Sequence, residues 1–458
     1  MTLFNNDTAA PPARRLRYPA IVELIILGAL ALVLTLGLAM IGGLVNERAQ
    51  RAANVRSEIA SSWGQRQIVG GPVLVVPFYV RYIDVNGKPA VMKERARFLP
   101  ARLKTSGRLH PDRRQRGIYD TVLYRAHLGV EGTFTRPDLS MWNIPPADVL
   151  WNEAVITIGI TDLRGIGGNP AIKWRGSDVK FSGGTGDARL WTTGLNAPVP
   201  ISAETLEYPF SFDLRLNGSE EISFLPLGGE TIVELESAWA DPSFSGAYLP
   251  ESRTVTQSGF KARWNVSSLA RSYPQQWRDR GDEERNAFNS VAASAFGVGL
   301  FSPVGHYQKA ERSIKYGVLF IMLTFLTFFL YELLSPVTLH PVQYFLVGGA
   351  LCLFYLLLLS ISEHATFGIA YAIGSAATVA LISAYSAALL QSRLRVLGLT
   401  GVLALLYGYL YVLLQLEDWA LLMGSIGLFL ILALVMYATR RVDWGSAHTG
   451  RISEAEAS

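Results

Sequence analysis

Cysteine is nearly missing from this sequence, with Cys352 the single one among 458 residues. That excludes a disulfide within one chain and any cysteine metal site. A large exported domain without disulfides suits a bacterial envelope better than a eukaryotic cell surface. Charge is sparse too, at 17% of residues, and the net charge of +4 is small for this length. The arginines are spread out rather than gathered on one segment, so nucleic acid is not expected as a partner. Histidine is scarce: His110, His127, His306, His340, His364 and His448 form no H-x-x-x-H or H-E-x-x-H pair. Zinc needs three or four converging ligands, so no metal site is expected. There is no G-x-S-x-G elbow, and Cys352 lies within an apolar run where no soluble substrate reaches. The carboxylate clusters Glu220-Glu221 and Asp282-Glu283-Glu284 read as solvated charge. The expectation is a protein that is not an enzyme and holds no cofactor.

Long apolar runs, by contrast, are abundant. From Ser313 to Ala438 the charged residues are Lys315, Glu332, Glu363, Arg393, Arg395, Glu417 and Asp418, mostly at regular breaks. Between them lie Tyr316–Leu334, Tyr344–Ile361, Phe367–Leu390, Val396–Leu416 and Trp419–Tyr437. Each is close to the roughly 20 residues that a helix needs to cross a bilayer, and none has the polar face of a soluble core helix. A further run, Leu24–Val45, follows Arg14, Arg15 and Arg17. A signal peptide would have a shorter core and a small-x-small cleavage site, so an uncleaved anchor is the preferred reading. The fold class is therefore a six-span α-helical membrane protein. A large, mostly β domain is inserted between spans 1 and 2.

Six spans put both termini on one side. Arg14, Arg15 and Arg17, then Arg393 and Arg395, then Arg440 and Arg441 all fall on that side, which the positive-inside rule makes cytoplasmic. Arg48, Arg51, Arg56, Lys309, Arg312 and Lys315 fall on the other, but long domains translocate largely regardless of charge. The expected plan is a cytoplasmic tail (1–19), span 1 (20–45), a periplasmic domain (46–312), a five-span bundle (313–438) and a cytoplasmic tail (439–458).

The inserted domain opens with good helix formers, Asn46–Trp63, as a stalk continuing span 1. Gly64 and then Gly70-Gly71-Pro72 are expected to stop it. Period-two patterning follows in Val73–Tyr82, Ala90–Phe98, Tyr119–Phe134, Ala154–Thr161, Ile172–Phe181, Tyr208–Leu216, Glu221–Phe224, Thr231–Trp239 and Ser252–Trp264. Asn86-Gly87 and Asn217-Gly218 read as hairpin turns. Such spacing predicts a sandwich or barrel-like domain, in one lobe or two. Residues 275–298 read as a short helix or irregular segment. Trp239, Phe244, Tyr248 and Trp264 read mainly as sandwich core, with a binding surface as the other reading.

Several residues carry candidate chemistry. Asp162-Leu163-Arg164-Gly165-Ile166-Gly167-Gly168 looks like a phosphate loop, but it lacks the following helix with a lysine and the full G-x-G-x-x-G pattern. A tight turn ordered by Asp162 and Arg164 is the plainer reading. Glu332, near the inner end of span 2, and Glu363-His364, at the outer turn between spans 3 and 4, fit a proton relay or pore mouth. Because each sits near a span end, interfacial placement is the simpler alternative. Ala372, Ala376, Ala380, Ala384 and Ala388 recur every four residues, a spacing that suits close helix packing at the centre of the bundle.

Taken in order, Val69-Gly70-Gly71-Pro72, Asp162–Gly167, Pro242–Gly246, Leu249-Pro250, Ser258–Trp264, the His340-Pro341-Val342-Gln343-Tyr344 stretch and Leu356–His364 resemble the CreD family of Gram-negative inner-membrane proteins. The similarity runs from span 1 to Trp444. It departs in a longer polar start and in Gly70-Gly71-Pro72, where the family more often has a single glycine. The resemblance implies a cytoplasmic-membrane protein tied to envelope integrity, with effects on envelope stress, colicin tolerance and β-lactam response. It implies no catalytic residues. The expected partners are the lipid bilayer and an unidentified periplasmic or envelope component. A transporter or channel using Glu332, Glu363 and His364 is the rival.

Overall fold

In lipid, an apolar segment satisfies its own backbone hydrogen bonds most simply as a helix, and the computed structural model shows a helix for each run. It describes residues 20–187, 190–279, 281–300, 305–334, 339–390, 392–416 and 419–440. Arg14, Arg15, Arg17, the loop 335–338, Glu417, Asp418 and Arg441 lie outside the described residues. Among those described, the helices are α1 (Ala20–Trp63), α2 (Gly281–Ala293), α3 (His306–Leu334), α4 (Pro341–Ser362), α5 (Phe367–Leu390), α6 (Arg393–Gln415) and α7 (Ala420–Thr439). All but α2 are long and apolar enough to cross a membrane. The chain divides into two compact units, with the breaks at Arg51/Ala52 and Pro303/Val304.

The helical unit is built on a stripe of α1. Leu27, Ala31, Leu34 and Leu38 are buried with Phe320, Phe325 and Phe328 of α3 and Leu351, Phe354 and Leu358 of α4. Small residues set this closeness: a Cβ at Gly348 would lie 2.1 Å from Leu34 Cδ1, and one at Gly317 2.9 Å from Leu38 Cδ1. The alanine row of α5 is not the packing seam expected from its spacing. Ala372, Ala376, Ala380, Ala384 and Ala388 are all exposed. The helix instead buries Ala370, Tyr371, Thr378, Ile382 and Ser386, the face on which Tyr371 packs against Phe354 and donates to the Tyr407 carbonyl. Along α7 no described residue is buried.

The β unit holds two sheets, each nine-stranded among the described residues. Its long strands are β1 (Gln67–Ile83), β2 (Pro89–Phe98), β3 (Arg102–Arg116) and β4 (Tyr119–Thr135). In the first sheet β1 pairs antiparallel with β2 and Val155–Ile160, and parallel with Glu221–Phe224. The second runs in the order Ser252–Thr256, Gly259–Ser267, Glu230–Ser237, β3, β4, Glu207–Ser219, Ala171–Trp174, Ser177–Lys180. Alternate residues from both sheets, among them Val73, Phe78, Ile156, Leu109, Leu128, Leu214, Leu235 and Trp264, form one continuous core. The β unit is therefore one sandwich rather than two lobes. Trp239 and Trp264 are buried in it, with Phe244 and Tyr248 packed against it.

Local details differ from the turn chemistry expected. α1 ends at Trp63, and a Cβ on Gly64 would meet the Asn217 carbonyl oxygen at 2.6 Å. Gly70-Gly71-Pro72 lies inside β1 at an irregularity in its pairing. Gly71 has φ +120°, a region that favours glycine. Asn217-Gly218 is no hairpin turn. It sits within Glu207–Ser219, paired with Arg125 and Tyr124 of β4. A Cβ on Gly218 would lie 2.3 Å from Tyr124 Oη, so the glycine admits a tyrosine rather than a turn. Residues 275–298 form the short strand Gln276–Arg278, then α2, then the start of Phe296–Gly299.

Candidate functional site

The second sheet turns a charged face outward. Side chains alternate across a strand, so Leu103, Thr105 and Leu109 of β3 point into the core while Ser106, Arg108 and His110 point out. Register then aligns Lys261, Glu236, Arg108, His127 and Arg215 side by side across five strands. His110 lies beside His127, with ring centroids 5.6 Å apart, and Arg125 pairs with His110 across the β3–β4 ladder. Glu236 accepts from Arg108 Nε at 2.5 Å and lies 3.6 Å from Lys261 Nζ. The hydrogen bond from Arg108 holds its carboxyl below the usual carboxylate range. The row thus has Lys261, Arg108 and Arg215 against one carboxylate. A shallow depression of about 560 Å³ runs along it, lined by Ser106, Arg108, His127, Glu236, Thr254 and Lys261 among others. Exposed ion pairs of this kind contribute only about 0–1 kcal/mol each to stability.

Asp162 and Arg164 come together as expected. Arg164 donates from Nε and Nη2 to the two Asp162 carboxylate oxygens, both at 2.9 Å. The Gln65 and Arg164 amides donate to the same carboxylate at 3.1 Å. The Arg164 guanidinium, first among these donors, holds that carboxyl below its usual range. Gln67 Nε2 ties the turn to the Asp162 and Asn217 carbonyls at 3.0 Å. The chain continues into a 3-10 turn, Leu163–Gly165, and a short strand, Ile166–Gly167, not into the helix of a phosphate loop. The pair orders the start of β1.

A second charged knot escapes sequence reasoning altogether. Arg97 of β2 is 1% exposed and donates to Asp187 at 2.6 Å. Its Nη2 also meets Asp279, and Glu284 of α2 at 3.1 Å. Those acids lie 90 or more positions away in sequence, with nothing in local pattern to connect them.

In the helical unit the sequence candidates separate. Glu332 Oε1 accepts from the Leu339 amide and Oε2 from the Tyr344 hydroxyl, both at 3.0 Å. His340 is the N-cap of α4: its Nδ1 accepts from the Val342 amide at 3.3 Å, and Gln343 reaches back to its amide at 2.9 Å. Glu363 caps the other end of α4, receiving the Tyr307 hydroxyl at 3.1 Å with Arg48 Nε 3.9 Å away. The His364 side chain is exposed and its amide donates to the Ile361 carbonyl at 3.0 Å. The 22 residues of α4, about 33 Å at 1.5 Å each, divide Glu332 from Glu363 and His364. The carboxyl that does join Glu332 is Glu23 of α1, within hydrogen-bonding distance. It precedes the run beginning at Leu24, where an acidic residue reads as a flank.

The family model described as "Inner membrane protein CreD" matches residues 19–445. The Inner membrane protein CreD of Escherichia coli (strain K12) is 32% identical over 417 residues, covering 90% of this chain and 91% of that protein. Among solved structures, the M1 zinc metallopeptidase of Deinococcus radiodurans in a substrate-bound mutant form matches at 10% identity and a TM-score of 0.18, covering 37% of this chain and 39% of that one. A second structure of that enzyme matches at 10% identity and a TM-score of 0.17, covering 44% and 43%. Neither score indicates a common fold.

Proposed function

The chain belongs to the CreD family of inner membrane proteins, and on that premise we propose that it is a non-catalytic envelope protein. Its helical unit anchors it in the membrane. Its β unit lies on the periplasmic side and engages an anionic component of the envelope, and through that contact the protein supports envelope integrity under stress. The observation that carries this reading is the outward row Lys261–Glu236–Arg108–His127–Arg215 with its depression. It is rigid, held by five paired strands, and richer in cations than in anions. Field complementarity of this sort selects partners and speeds encounter more than it stabilises a fold.

Orientation is supported by Arg393 and Arg395 at the start of α6 and Arg440 after α7, which helix parity puts on one side together with the N-terminus. Transport through Glu332, Glu363 and His364 has less support, since those groups stand at opposite ends of α4 and Glu363 is engaged by Tyr307 and Arg48.

Charge reversal on the row tests the proposal. Full-length protein carrying Arg108→Glu and Arg215→Glu, both exposed, is expected at normal levels in the membrane. It should fail to restore envelope-stress resistance to cells lacking the chain. Full restoration would remove the row from the function.

A further inference from the structure

The helical unit secludes two carboxyl groups from water and sets them against each other. Glu23 is 6% exposed and Glu332 3%. Glu332 has both oxygens occupied by donors, the Leu339 amide and the Tyr344 hydroxyl. Glu23 faces it within hydrogen-bonding distance, and the Glu23 Oε2 atom is buried with no donor among the described residues. No ion pair to either carboxyl occurs among the described residues. From α6, Arg395 stands over the Tyr331 ring, 5.9 Å from its centroid. From α4, the His340 ring is spent on capping, and the Tyr344 hydroxyl is the polar group that points in.

Two ionised carboxylates in contact, away from water and cations, repel strongly. A carboxylate only accepts hydrogen bonds, while a protonated carboxyl can also donate one. The contact therefore becomes a hydrogen bond when one O–H is present, and that O–H also gives the buried Glu23 carboxyl a role. From this geometry we propose that Glu23 and Glu332 form a proton-binding site, in which one shared proton ties α1 to α3. On release the O–H bond breaks, its electron pair stays on the carboxylate, and the proton passes to water. The tie between α1 and α3 then becomes a repulsion. The site is independent of the sheet-face reading and uses none of its residues.

Infrared spectroscopy of the full-length protein in lipid nanodiscs tests it, at a pH where exposed carboxyls are ionised. The wild type is expected to show the carbonyl stretch of a protonated carboxylic acid. That band should vanish in Glu23→Gln and equally in Glu332→Gln, because a shared proton is lost with either partner. In Glu23→Gln the side-chain amide supplies the donor that the proton supplied, so thermal unfolding of that variant should lose the wild type's drop in stability on alkalinisation. A wild type without the band overturns the proposal, and that reading needs no variant to fold. So does a band that survives both substitutions, or a sodium-dependent stabilisation of the wild type that Glu23→Gln abolishes, which would make the occupant a metal cation.

Discussion

Arg97 shows how much a single residue can carry that sequence reading does not find. One guanidinium at 1% exposure meets Asp187, Asp279 and Glu284. Replacing a buried ion-pair partner typically costs about 3–5 kcal/mol, because charge is left behind in a dry site. Arg97→Ala should destabilise the β unit by about that amount, read as a lowered denaturation midpoint of the full-length protein. A change within about 0.5 kcal/mol would show that the knot behaves as surface charge. Glu23 was hidden for another reason. Its burial depends on α3 and α4, which begin only at His306 and Pro341. Asp162 with Arg164, by contrast, was legible, since partners two residues apart on a turn need no tertiary context.

At the scale of elements, patterning worked where apolar residues were large. The alternation of Phe210, Phe212, Leu214 and Leu216 is the buried face of its strand, and Asn86-Gly87 is the turn between β1 and β2. It failed at β3, the strand at the centre of the charged face. Its inward positions include Thr105 and Gly107 beside Leu103 and Leu109, too little apolar contrast to register as a strand. The neighbours explain the glycine: a Cβ there would lie 2.6 Å from Leu235 and 2.8 Å from Leu128. Gly70 poses the same problem in β1, where a Cβ would lie 2.6 Å from the Trp191 ring and 2.7 Å from Leu225. Gly70→Ala should cost about 1–3 kcal/mol by overpacking. The cost should shrink when Trp191→Leu is added, as a double-mutant cycle on thermal unfolding would show. An undiminished cost would assign the glycine to backbone conformation instead.

For the whole molecule, the separation into a helical unit and a β unit was the most legible property. Segment length and composition alone mark bilayer-crossing helices, and the six candidate spans have that length. How the spans pack was less so, because small-residue spacing says that a close approach is allowed and not which face makes it. The exposed alanine row of α5 is the instance. The charged face of the second sheet is proposed to meet an anionic envelope component outside the cytoplasm. A photo-crosslinking amino acid placed at His127 of the full-length chain, irradiated in intact cells, tests it most directly. The expected result is an adduct with an anionic periplasmic or envelope component, lost when Arg108→Glu and Arg215→Glu are introduced. Adducts with cytoplasmic proteins alone, or adducts indifferent to the charge reversal, would contradict it.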